Sequence, residues 1–157
     1  MNKRLFTFGC SFTSWRWPTW NDYIGLNFDE YYSLGCAGAD NKNILYRFLQ
    51  ADKKYKFTSD DCVMIMFTSF NRMSYVDKYF HIHNIGDLVD DNLKLHPIGR
   101  GYNFPTAVYD SCIAIQSIES MLKSKNVKYE FLQSMEHNFY HDDFEMGGEV
   151  KDHLDCL

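Results

Sequence analysis

The sequence predicts an α/β fold, a three-layer α/β/α sandwich on a short parallel sheet, and three observations lead there. Strand-like and helix-like segments alternate through the first half of the chain, the pattern of strand–helix–strand units. The run CVMIMF, Cys62 to Phe67, is apolar at every position, which suits a strand covered on both faces in the middle of a parallel sheet. The first three candidate strands each stop at small or polar residues, so their carboxyl ends fall on one edge, where open α/β sheets bind ligands.

The elements follow in order. RLFTF, Arg4 to Phe8, is short, apolar and aromatic and ends at Gly9, a strand stopped by a tight turn. Pro18 to Gly25 can open and close a short helix, with Trp20, Tyr23 and Ile24 at helical spacing. Tyr31 to Leu34 reads as the second strand, ended by Gly35. From Asn41 to Ala51 the positions Ile44, Leu45, Phe48 and Leu49 recur at helical spacing, with Asp40 or Asn41 available as N-cap. Cys62 to Phe67 is the third strand. Residues 70 to 105, rich in Asp, His, Asn, Gly and Tyr without a long period, predict a long loop or lid with one short helix near Val89 to Leu95. Thr106 to Lys123 is the longest helical pattern, with Val108, Cys112, Ile115, Ile118 and Leu122 on one side. Tyr129 to Gln133 is the fourth strand, and the last 24 residues add no convincing further one. The crossovers of such a sheet are expected to be right-handed.

Composition narrows the function. A chain of 157 residues with 45% apolar and 17% aromatic residues is one ordered domain, 1–157, able to bury a core without disulfides or metals. The balance of 21 acidic to 16 basic residues, with no basic run along a face, argues against a nucleic-acid partner. Five widely spaced cysteines with no C-x-x-C pair fit neither a zinc site nor a disulfide framework; Cys10 and Cys62 are expected to be buried and inert, in a reducing compartment. The apolar run before Gly9 is too short for a signal peptide, and no span is long enough to cross a bilayer, so no membrane partner is expected. No cofactor motif is present: neither G-x-G-x-x-G nor G-x-x-x-x-G-K-S/T occurs, which weakens a flavodoxin-like nucleotide-binding reading. His81 and His83 alternate in YFHIH, but with no third ligand at useful spacing they read as a half-exposed strand or loop rather than a metal site.

The chemistry sits on the three strand ends: Gly9-Cys10-Ser11, Gly35-Cys36-Ala37-Gly38 and Thr68-Ser69-Phe70-Asn71. They offer a hydroxyl, a backbone N–H that glycine leaves unobstructed, and a side-chain amide. Those are the parts of a nucleophile with an oxyanion hole, whose donors are aimed at the charge developing on a carbonyl oxygen during acyl transfer. Each part also has a plain structural use: Ser11 as a turn or cap residue, Gly35 and Gly38 in a tight turn, Asn71 as a helix cap. Trp15, Trp17 and Trp20 beside Ser11 are candidates to wall a substrate cleft.

This arrangement resembles the SGNH hydrolases, or GDSL-like esterases and lipases, and most specifically short SGNH-like proteins of bacteriophages and marine bacteria. Gly9-Cys10-Ser11 stands where the family has Gly-Asp-Ser, Ser33-Leu34-Gly35-Cys36-Ala37-Gly38 matches its Asn-x-Gly-x-x-Gly block, and Ser69-Phe70-Asn71-Arg72 loosely matches its Gly-x-Asn-Asp. The resemblance implies an SGNH-type sandwich and a serine esterase or acyl hydrolase acting on a small ester or acylated carbohydrate. Ser11 would be the nucleophile, with its own N–H, Gly38 and Asn71 around the oxyanion. It also implies a cytoplasmic or virion-associated protein, able to form homo-oligomers or join a virion.

The family's Asp-x-x-His block, which supplies the general base and its orienting carboxylate, does not occur in the chain, as though the C-terminal family segment were lacking. Of the tail histidines, His153 follows Asp152 directly and would face solvent. His137 and His141 lie on a polar stretch that could fold over the sheet edge, with Asp142 or Asp143 to orient one of them, and His141 is the best-placed candidate base. The expectation is that no histidine reaches Ser11 and that the chain is a weak hydrolase at best. The alternative is a non-catalytic virion or carbohydrate-binding protein that keeps the scaffold.

Overall fold

The computed structural model describes residues 3–70, 72–79, 81–87 and 104–134. Their elements are β1 (Arg4–Phe8), α1 (Trp20–Gly25), β2 (Glu30–Ser33), α2 (Asn41–Tyr55), β3 (Cys62–Phe67), β4 (Arg72–Val76), β5 (Ile82–Asp87), α3 (Phe104–Ser124) and β6 (Lys128–Gln133). The fold is α/β. Four strands form a sheet in the order β2-β1-β3-β6, every neighbouring pair parallel. The chain passes from β1 out to β2, then crosses back over β1 to β3. This reversal makes the carboxyl ends of β1 and β3 the switch point at which sheets of this kind open a crevice.

Side-chain alternation divides the two faces. Phe6, Phe8, Val63, Ile65 and Phe67 pack with Ile44, Phe48 and Ala51 of α2 and Ile118 and Leu122 of α3 in one buried cluster. Thr7, one residue out of phase with Phe6 and Phe8, points the other way and meets α1, whose Asn21 donates to its hydroxyl at 3.0 Å. β3 is apolar throughout, as an interior strand should be, but only alternate positions are fully covered. Cys62 is half-buried, not buried as expected, because it lies on the less covered face at the strand's first residue.

α2 runs a full turn beyond its expected end at Ala51, to a left-handed Lys56 at its C-cap. The extra turn is polar, DKKY, and carries no apolar period. It is held from outside: Asp52 accepts the Phe57 N–H at 3.1 Å and binds Lys125 Nζ through both oxygens at 2.6 Å. Lys53 and Lys54 also complement the negative end of the helix dipole.

Residues 72–87, expected to be loop, form an antiparallel hairpin of β4 and β5 with a bulge between Met73 and Ser74. The turn contains no glycine, asparagine or proline, so the usual hairpin signal is missing from the sequence. Asp77 replaces it: one carboxylate oxygen accepts the backbone N–H groups of Tyr79 and His81 at 2.8 and 2.9 Å, while the Asp77 N–H donates to His81 O at 3.0 Å. The helix expected near Val89 to Leu95 lies outside the described residues.

At the amino end of the sheet, Arg4 and Asp61 form a two-pronged pair, Nε to Oδ1 at 2.7 Å and Nη2 to Oδ2 at 2.8 Å, with the Thr58 N–H donating to Oδ2 at 2.7 Å. Burial alone would push the Asp61 carboxyl up; the guanidinium and the Thr58 N–H outweigh it and hold it below the ordinary range. A carboxyl so depressed stabilises the fold above its unfolded value and loses that contribution as pH falls through its folded value. Asp61→Asn should therefore cost about 2 kcal/mol at neutral pH. Urea denaturation of both proteins over a pH series should show the gap closing below about pH 4.

Candidate functional site

β1 delivers the chain into a turn that needs Gly9. A Cβ there would lie 2.1 Å from Thr13 Oγ1 and 3.0 Å from Met66 O, against backbone on the β3 side. The turn closes when the Thr13 and Ser14 N–H groups both donate to Cys10 O, at 3.0 and 3.2 Å. Cys10 is fully buried and Ser11, the next residue, is partly exposed. The turn thus roots on the thiol side and presents the serine outward.

The second strand end is bonded to the first. Past β2, the Leu34 N–H donates to Thr7 O at 2.8 Å and the Cys36 N–H to Gly9 O at 2.9 Å, so β1–β2 pairing continues into both loops. Arg47 of α2 donates through Nε to Leu34 O at 2.9 Å. Cys36 to Ala39 is then a β-turn, with the Ala39 N–H donating to Cys36 O at 3.1 Å and Gly38 at φ 74°. That is the third position of a type II turn, where a left-handed φ favours glycine. Among the described residues no hydrogen bond takes up the Gly38 N–H.

At the third strand end the buried amide of Asn41 reads the backbone of Thr68 from both sides. It accepts the Thr68 N–H at 3.0 Å and donates to Thr68 O at 3.1 Å. Its neighbour Asp40, 2% exposed, caps α2 by accepting the Asn43 N–H at 2.7 Å and reaches the hairpin by accepting the Ser74 N–H at 2.6 Å. Asn71, expected as an oxyanion donor, and His137, His141 and His153 lie outside the described residues. The asparagine that stands beside Gly38 is Asn84 of β5. Its amide nitrogen donates to Ala37 O at 3.0 Å and approaches Cys36 Sγ at 3.5 Å, while its oxygen accepts from Asn43 and Ser74 at 2.8 and 2.7 Å. With its amide so engaged, Asn84 fastens the hairpin to the Gly38 turn.

A cleft of about 420 Å³ opens beside Ser11, lined by Ser11, Phe12, Trp15, Trp17, Pro18, Thr19 and Trp20. The expected tryptophan wall is therefore present: Trp15 and Trp17 meet edge to face with ring centres 5.6 Å apart, and Trp17 is 64% exposed. Behind the wall is a buried polar hub. The Asn21 amide nitrogen lies within hydrogen-bond distance of three hydroxyls, Thr7 Oγ1 and Ser33 Oγ at 3.0 Å each and Tyr31 OH, of which it can donate to two at once, and its oxygen accepts from Thr19 Oγ1. Ser33 Oγ donates to Thr13 O at 3.2 Å, so the hub ends on the turn that carries Ser11. Burial pushes the Tyr31 hydroxyl up, which keeps it protonated as a donor to Asp22 at 3.1 Å.

Three buried polar atoms close to this edge have no partner among the described residues: Thr13 Oγ1, Thr68 Oγ1 and the Trp20 indole nitrogen. Among the described residues no histidine or carboxylate lines the cleft, and the Ser11 hydroxyl has no hydrogen-bond partner. The described part of the site thus holds a serine and an aromatic wall, without a group placed to take a proton from that serine. The sequence assigns Asn21 and Asn84 no role and Asn41 only that of a candidate helix cap, since a lone asparagine in a polar stretch gives no sign of the partners it will meet. The motif spacing of ADNKN around the start of α2 was the one available hint. Compared with protein-family models and with curated proteins, the sequence matches none.

The clamp is open to direct measurement. Asn41→Ala leaves the Thr68 N–H and C=O without their partner at a buried position, and urea denaturation should show a loss of about 2–3 kcal/mol with an unchanged m-value.

Proposed function

We propose that the chain is an SGNH-type serine acyl hydrolase scaffold, with Ser11 as the nucleophile and an acylated carbohydrate as the ligand of its tryptophan cleft. The observation that carries the reading is that Ser11 itself lines that cleft. A sugar ring has C–H-rich faces that stack on indole and a rim of hydroxyls that stay hydrated, which suits walls that are aromatic and half-exposed. The volume lies in the range of about 300–1,000 Å³ usual for small-molecule sites. A ring stacked on Trp15 or Trp17 would hold a pendant acyl group toward Ser11. The Ser11 and Gly38 N–H groups are the oxyanion donors of this reading, which the Cys36 to Gly9 bond between their loops supports.

A second reading uses the same cleft for binding alone. It is favoured by the lack of any base among the described residues that line the cleft. A serine without a base keeps its proton at neutral pH, and only the residual rate from an oxyanion hole would remain. On the first reading, His141 is the candidate base.

Short-chain aryl esters and a fluorophosphonate label separate the two. The scaffold as described should turn esters over slowly and label weakly, with both signals lost in Ser11→Ala. Robust turnover that survives Ser11→Ala would refute Ser11 as nucleophile, and robust turnover lost in His141→Ala would assign the base. Independently, Trp17→Ala should weaken binding of an acetylated oligosaccharide by about tenfold in calorimetry, as expected when one stacked aromatic worth about 1.4 kcal/mol is removed. Unchanged affinity would exclude the cleft as the sugar site.

A further inference from the structure

The hairpin turn brings together three ligating atoms that the sequence kept apart. His81 and His83 are two residues apart on an extended segment, so their imidazoles share a face. Asp77, at the far side of the turn, completes the set: its Oδ2 lies 2.9 Å from His83 Nε2 and 3.4 Å from His81 Nδ1. The three ligating atoms all fall within 4.8 Å of one another. Asp77 stands in no motif with the histidines, and only the closed hairpin turns it back on them.

We propose that Asp77, His81 and His83 form a binding site for a divalent transition-metal cation, zinc above all. Bonds of about 2.0–2.2 Å from imidazole nitrogen and carboxylate oxygen put tetrahedral ligands about 3.3 Å apart. The two separations at Oδ2 bracket that value, and the remaining one is within 4.8 Å; a cation that enters takes the place of the proton His83 shares with Oδ2. The carboxylate is already oriented, because its other oxygen is held by the Tyr79 and His81 N–H groups, leaving Oδ2 to face the imidazoles. His83 is steadied by a near-parallel stack on Tyr75, ring centres 4.9 Å apart at 16°. Two nitrogens and one carboxylate oxygen form a donor set suited to zinc and its neighbours rather than to calcium or magnesium. His81 is 72% exposed, so the remaining coordination positions face solvent, the arrangement of a three-ligand site that keeps water or a ligand on the metal.

Calorimetric titration of the full chain with zinc chloride under reducing conditions tests this. The expected result is one site lost from the total in His83→Ala, and affinity at that site lowered by more than about tenfold in Asp77→Asn, since even outer partners of a bound metal cost that much. His81→Ala, at the most exposed of the three positions, keeps the test valid if His83→Ala does not fold. Cobalt substitution should give a visible spectrum of low-symmetry four- or five-coordinate metal, absent from His81→Ala. Equal stoichiometry and affinity in wild type and His81→Ala, or no zinc bound by the wild type, would overturn the site.

Discussion

The edge of the sheet depends on one side-chain amide. Asn41, at the first turn of α2, takes both backbone groups of Thr68, so the loop leaving β3 is fixed to the start of the helix that precedes it. The carboxyl end of an interior parallel strand would otherwise leave its last N–H and C=O unpaired just where the chain must turn away. Asp40 beside it caps the helix and bonds the hairpin, and Asn43 one turn on bonds Asn84, which bonds the Gly38 turn. Through four polar residues the loops after β2 and β3 and the β4–β5 hairpin become one piece. The loop after β1 is fixed separately, through Gly9 O to the Cys36 N–H and through the Asn21 hub to Thr13.

This arrangement separates stability from chemistry in an unusual place. The apolar core lies between the sheet and α2 and α3, and asks of the strands only alternating bulk. The carboxyl edge of the sheet is held by hydrogen bonds of amide and carboxylate side chains, whose energies fall steeply when one partner is lost. The core can therefore accept volume-conserving changes while the edge cannot, and changes at Asp40, Asn41 or Asn84 would act on the geometry of the loops they fasten.

What was legible in the sequence follows the same division. Arg4–Phe8 and Cys62–Phe67 were readable to the residue, because burial of a short strand writes itself as a dense apolar run ended by glycine or by Thr68-Ser69. The long helix over Phe104–Ser124 declared itself by period. The hairpin did not, since its turn is made by an aspartate side chain where glycine would have been the visible signal. The candidate site was half legible. Ser11, Gly38 and the tryptophans stand on strand ends and could be placed by counting, and Ser11 and the tryptophans do line one cleft. The asparagine network could not be placed, because a buried polar residue is specified by partners far along the chain, as in the 41 residues from Asn43 to Asn84.

The turn beneath Ser11 has a consequence for watching the protein move. Cys10 is wholly enclosed, and its carbonyl closes the turn by accepting from Thr13 and Ser14. A thiol reagent can reach that enclosed sulfur only when the turn opens. The rate at which Cys10 is modified is then a clock for excursions of the serine loop, much as amide exchange reports the opening of a helix turn. Cys112, on the buried side of α3 in a separate small cluster with Phe70 and Val108, would keep time for a different part of the molecule, so two thiols in one chain distinguish a loop that breathes from a domain that unfolds.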